Sequence, residues 1–139
     1  MIAAFFLSSA IIEDKTLKPG KNAPKIETVE GINVGYDANS EPKTRIISFW
    51  SPKNPTSRIT NKDLEKLYGD NSNGEVEFIS ICTDNDEALM QEVMKVDGLE
   101  KINNYSYSQI SPRVFKDYDV DENPKAFKIG TDGKIVEII

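Results

Sequence analysis

Hydrophobic positions alternate with polar breaks along most of the chain, and the pattern predicts a strand-rich, mixed fold. Residues 26–29 and 32–36 are short β-like stretches around Glu30-Gly31, which reads as a hairpin turn. After a loop over 37–43 containing Asn39, Ser40 and Pro42, Arg45-Ile46-Ile47-Ser48-Phe49-Trp50 forms a nearly continuous apolar run. Such a run is expected of a central parallel strand covered on both faces. Asn54-Pro55 then opens a helix, because Asn accepts from an early amide and Pro at the first helical position gives up no needed donor. This helix is predicted to reach about Tyr68, with Leu64, Leu67 and Tyr68 facing inward, and to stop in the turn over 69–74. A second core strand is expected over 76–82, with Val76, Phe78, Ser80 and Cys82 on one side and Glu77, Ile79 and Ile81 on the other.

The next helix is capped by Thr83-Asp84-Asn85-Asp86, carries Leu89, Met90, Val93 and Met94 as a stripe, and ends near Gly98. A short strand over 102–107 follows, then a short helix opened by Ser111-Pro112 and carrying Val114, Phe115 and Tyr118. Residues 125–129 and 134–139 flank Gly130-Thr131-Asp132-Gly133, a hairpin signal. The predicted order is β, β, β, α, β, α, β, α, β, β, with no internal repeat and no second-domain boundary. At 139 residues one core suffices, since a fold of this size removes roughly 68% of the unfolded surface from water.

The start of the chain departs from this pattern. Residues 2–12 (IAAFFLSSAII) are apolar or small, about half the roughly 20 residues needed to span a bilayer, so they provide no stable membrane span. Ser8, Ser9 and Ala10 are compatible with a signal-peptide cleavage region, although a basic start is missing. The alternative is an extension packed on the domain, which would hide an otherwise greasy tail. Residues 1–14 are thus set apart from a domain over 15–139. A further reading makes the chain the C-terminal part of a longer envelope protein.

Composition narrows the chemistry. With 17 basic and 23 acidic residues the net charge is −6, which opposes nucleic-acid binding and supplies no polybasic membrane patch. The chain has one cysteine, Cys82, and no histidine. Zinc clusters, Ser-His and Cys-His dyads and an intramolecular disulfide are excluded by inventory. Asp70-x-Ser72-x-Gly74 and Asp119-x-Asp121-x-Asn123 look like fragments of calcium loops but lack the Gly and Glu such loops require, so no metal site is expected. Asp84, Asp86 and Glu87 can be a carboxylate cluster or helix caps, and Asn104-Tyr105-Ser106 fits the glycosylation sequon.

Taken in order, Lys18-Pro19-Gly20-Lys21-Asn22-Ala23-Pro24, Phe49-Trp50 followed by Pro55 and Arg58, the strand over 76–81, and Asn123-Pro124 through Gly133-Lys134-Ile135-Val136 resemble the thioredoxin-like periplasmic thiol-disulfide reductases and their peroxiredoxin relatives. The resemblance implies an α/β, three-layer sandwich with a central mixed sheet, helices on both faces and a C-terminal antiparallel hairpin. It also implies a cis peptide bond before Pro124. In those relatives a Cys-x-x-Cys pair sits at the helix N-terminus, where free amides and the helix dipole lower the first thiol's pKa. Here that motif falls on Asn54-Pro55-Thr56-Ser57, and the peroxiredoxin cysteine position also falls on Asn54. An amide is no nucleophile, and an Asn/Ser pair cannot cycle electrons.

Two functions remain. In one, the redox centre is lost and the groove of Trp50, Lys53, Pro55, Thr56 and Pro124 survives as a binding site for an extended peptide or protein, without cofactor. In the other, Cys82, at the same sheet end, acts as a lone reactive thiol in an oxidoreductase or peroxidase, alone or with a partner's cysteine; a strand cysteine is otherwise a small buried hydrophobe. Lys53, where relatives commonly have an aromatic residue, makes the rim more polar and basic. The resemblance points to the periplasm or cell envelope, with the cytoplasm as the alternative.

Overall fold

Residues 15–70 and 74–139 are described by a computed structural model of the chain. The segment 1–14, with its signal-peptide or packed-extension reading, lies outside them, as does the middle of the turn after the first helix. Strands β1 (Thr44–Trp50), β2 (Val76–Cys82), β3 (Asn104–Tyr105), β4 (Ala126–Ile129) and β5 (Ile135–Ile138) form one mixed sheet in the order β3-β2-β1-β4-β5. β2 runs parallel to both β1 and β3, whereas β4 is antiparallel to β1 and β5 to β4. Helix α1 (Pro55–Tyr68) makes the crossover from β1 to β2, α2 (Glu87–Val96) that from β2 to β3, and the short α3 (Pro112–Asp117) precedes β4.

The continuous apolar strands are explained by their alternation. In β1, Ile47 and Phe49 join Ile79, Ile81, Phe127 and the α3 residues Val114 and Phe115 in one core cluster, with Tyr118 just beyond the helix. On the opposite face Trp50 and Cys82 pack with Met90, Val93 and Met94 of α2, and Ile46 and Phe78 pack with Leu64 of α1. Side chains of period two thus feed two separate layers, so neither face can be polar.

Where α1 crosses the sheet the strands carry small residues: Ser48 pairs in register with both Ser80 and Ala126. Asn61, fully buried, fills this contact and its Oδ1 accepts from the Ser80 hydroxyl at 3.1 Å. The buried face of α1 is therefore Ser57, Asn61 and Leu64, with Tyr68 half-buried one turn on. Leu67 does not belong to it. It is 72% exposed, because a helix advancing 100° per residue places 57, 61, 64 and 68 on one side and turns 67 away.

Two expected strand regions are reduced. Residues 26–29 and 32–36 are linked only by the bridge from Glu27 to Asn33, with one further bridge from Thr28 to Ile110. The turn itself forms: Gly31 has φ +86°, its amide donates to Thr28 O at 2.9 Å, and Thr28 donates to Ile32 O at 2.8 Å. The Val29 amide, however, is spent on a loop partner, Gln109 O, at 2.9 Å; Ile26 is fully buried in the core, with Val34 and Tyr36 packed partly against it. The expected strand over 102–107 contracts to two residues. Ser106 begins a 3-10 turn, and Gln109 Oε1 takes its amide at 2.8 Å, which withdraws it from the ladder.

At the other edge, the opening segment partly covers β5: Gly20 N–H donates to Ile135 O, and Ile135 N–H to Lys21 O, both at 2.8 Å. The terminal hairpin closes through Gly133, at φ +81°, against Tyr36; a Cβ on Gly133 would meet the Tyr36 ring at 2.5 Å. Only glycine satisfies both conditions.

Candidate functional site

The strand ends of β1 and β2 and the start of α1 meet at one end of the sheet. Thr83 N–H donates to Trp50 O at 2.8 Å, which ties the two strands as they leave the sheet. Phe49 N–H donates to Lys125 O at 3.1 Å and so brings the Pro124 loop alongside. The Asn123-Pro124 bond is trans, which corrects the cis geometry expected from the resemblance. Pro124 is half-buried, and Asn123 before it is exposed.

The first helical turn is closed upon itself. Asn54 Oδ1 accepts from Ser57 N–H at 2.9 Å, and Asn54 O from Arg58 N–H at 3.1 Å. Asn54 is thus an N-cap of the kind its sequence position suggested. Ser57 is buried, and its hydroxyl accepts from Ser51 N–H at 3.0 Å and donates to Asn54 O at 3.0 Å. The hydroxyl therefore splices the 51–57 loop rather than facing solvent. Pro55 and Thr56 are exposed. Lys53 is exposed too, and its Nζ lies 3.4 Å from Asp84, whose side chain is only 14% exposed.

Trp50 and Cys82 are register partners on β1 and β2 and are both buried. The Trp50 indole donates to Asn104 Oδ1 at 3.1 Å, so this residue underlies the site and offers no exposed face of its own. Cys82 Sγ lies 3.5 Å from Asp84 O. Burial pushes the thiol up to about 11; the hydrogen bond at the Asp84 backbone pulls the other way, and the negative charge of Asp84 adds to the rise. At neutral pH about one molecule in ten thousand would carry a thiolate, the form that attacks disulfides and peroxides.

Other sequence candidates resolve into structure. Asp86 Oδ1 caps α2 through Leu89 N–H at 3.1 Å, and Asp84 Oδ1 accepts from Asp86 N–H at 2.8 Å. The sequon asparagine, Asn104, is held by Trp50 and by Met90 Sδ at 3.3 Å, while Ser106 is buried. Among the described residues no group of three or more His, Cys, Asp or Glu side chains is placed to hold a metal ion.

Sequence reasoning missed one contact that shapes the site. Arg58, in the first turn of α1, forms a two-pronged pair with Asp97 at the end of α2, at 2.8 and 3.2 Å. Asp97 is 6% exposed, and its hydrogen bond to Arg58 raises the guanidinium pKa. A carboxylate at a helix C-terminus opposes the macrodipole, so nothing local announced Asp97; its partner stands 39 residues earlier.

No protein-family model and no curated protein matches the sequence. Solved structures do. A thioredoxin-like protein from Parabacteroides distasonis superposes with a TM-score of 0.69 at 24% identity, covering 88% of this chain and 87% of that one. The thioredoxin domain of a thiol-disulfide oxidoreductase from Bacteroides vulgatus gives 0.67 at 20% identity, covering 88% and 89%. A secreted disulfide oxidoreductase of Mycobacterium tuberculosis gives 0.59 at 21% identity, covering 84% and 82%. With the mixed sheet, the crossover helices and the C-terminal hairpin, these likenesses establish that the chain has the thioredoxin fold, while its single cysteine leaves that fold without a cysteine pair.

Proposed function

We propose that the chain is a non-catalytic binding module of the cell envelope, holding an extended peptide or protein partner at the sheet end framed by Lys53, Pro55, Thr56 and the Pro124 loop. The observation that carries this reading is the state of the first turn of α1. The positions where sulfur would react are an N-cap amide and a buried hydroxyl whose hydrogen bonds are satisfied within the loop. Such a turn is rigid and presents exposed groups, but it has nothing to transfer. The rival reading, a monothiol enzyme working through Cys82, is opposed by the burial of that thiol. The likeness to a protein described as secreted supports the envelope, and no described helix is long and apolar enough to cross a membrane.

A library of displayed extended peptides panned against the full chain tests the reading, with binding mapped by amide NMR shifts. Peptides should move signals of residues 53–56 and 123–125. Thr56→Trp or Pro124→Ala should weaken them by about tenfold, as expected for a change at the centre of a small contact. Binding indifferent to both variants, or disulfide turnover by the intact chain, would overturn the proposal. Fractionation of the native host, with the protein in envelope or cytosol, tests the location.

A further inference from the structure

A cavity of about 680 Å³ lies away from the start of α1, between the opening segment, the end of α3 and the β4-β5 hairpin. Its volume falls within the range of small-molecule pockets. Half-buried Leu17 and Ile138 supply apolar walls; both pack against the core cluster that holds Phe127, the fully buried register partner of Ile138. Around these walls stand Lys15, Lys116 and Lys125, none of which forms a salt bridge among the described residues, and Lys21 lines the cavity as well. The two acidic groups present are Asp117, already 3.4 Å from Arg113, and Asp119.

Four cations against two carboxylates reverse the sign of the whole chain, whose net charge is −6. The last carbonyls of α3, those of Val114, Phe115 and Lys116, already accept from Tyr118, Val120 and Asp119. The buried Tyr118 hydroxyl donates outward to Pro24 O at 2.6 Å, which pins the opening segment as one wall. A cationic rim over an apolar floor selects a ligand that is anionic at one end and hydrocarbon at the other.

We propose that this cavity is a binding site for an amphipathic monocarboxylate, a fatty-acid anion whose chain lies on Leu17 and Ile138 and whose head is held by the lysines. The site adjoins the sheet end assigned to peptide binding only at Lys125, next to Pro124, and either can exist without the other.

Titration of the full chain with decanoate, followed by calorimetry and amide NMR, tests the site. Acetate serves as the head alone and decyltrimethylammonium as the same chain with the opposite charge. Saturable decanoate binding should move signals at residues 15–17, 116–119 and 125–127. Each methylene that becomes buried should tighten binding by up to about fourfold along the octanoate-to-dodecanoate series. The cationic analogue should bind at least about tenfold more weakly, and decanoate affinity should fall as added salt shortens the screening length. Lys15→Glu with Lys116→Glu, both at exposed positions and clear of Pro124, should cost about tenfold in decanoate affinity and erase the preference over the cation. Equal binding of the two decyl compounds, an unchanged affinity in the double variant, shifts confined to other residues, or no saturable binding would each overturn the assignment.

Discussion

The first turn of α1 and the end of β2 divide between them what a thiol enzyme needs in one place. The turn has access and the electrostatics of a helix N-terminus, with Pro55 and Thr56 exposed, but no sulfur. The strand end has the sulfur, but Cys82 is fully buried beside Trp50 and its pKa is raised. Reactivity of a cysteine is a property of its surroundings, and moving a thiol from the turn to the adjacent strand converts a nucleophile into a core residue.

The most drastic way to break this comparison is to return the sulfur. Asn54→Cys with Ser57→Cys should raise disulfide-reductase activity, read as insulin reduction, from background by orders of magnitude, because thiolates at helix starts are stabilised. A double variant that folds and stays inert would mean that the scaffold, and not the missing sulfur alone, has been altered.

Cys82 should behave in the opposite manner. Labelling by an aromatic disulfide at pH 8 should be at least about 100-fold slower in the native chain than in the unfolded one, where the thiol titrates near its ordinary value. The same shift gives a pH dependence. A thiol held protonated by the fold contributes stability that is complete below the unfolded pKa, near 9, and is lost as pH rises toward the folded value of about 11. Denaturant titrations across this window should lose about 2–3 kcal/mol, and Cys82→Ala should flatten the profile.

Smaller changes sharpen the contrast between contacts around the turn. Arg58→Ala leaves Asp97 charged and nearly buried, and urea denaturation should report a loss of about 2 kcal/mol, less than for a wholly buried pair because Arg58 is itself partly exposed. Asn54→Ala removes the cap and should cost about 1 kcal/mol. Lys53→Ala, which breaks an ion pair with a 63% exposed lysine, should change stability by less than about 0.5 kcal/mol. A Lys53 effect as large as that of Arg58 would show the rim to be structurally coupled to the helix start.

Much of the fold was legible because its signals are local. The apolar runs ending at Trp50 and Cys82, the Asn54-Pro55 opening, the Asp86 cap and the Gly130–Gly133 turn each declare an element through its own residues. The hairpin over 26–36 has the composition of strands, yet strandedness requires a neighbour in the sheet, and its outer edge meets only the loop at Ile110 through a single bridge. Leu67, large and apolar, has the composition of an inward residue, but the helix period turns it to solvent and puts the smaller, polar Asn61 inside.

By itself the sequence determined the order of elements from Thr44 onward, the lack of a second cysteine and the residue types at the helix start, since these follow from inventory and short-range pattern. Tertiary structure alone decided that Arg58 finds Asp97, that Cys82 is shut away under α2, and that lysines of the opening segment meet those of α3 and the loop before β4 around one cavity. Each of these depends on groups far apart in the chain, and their proximity, burial and local dielectric exist only once the sheet and its two helical layers have closed over them.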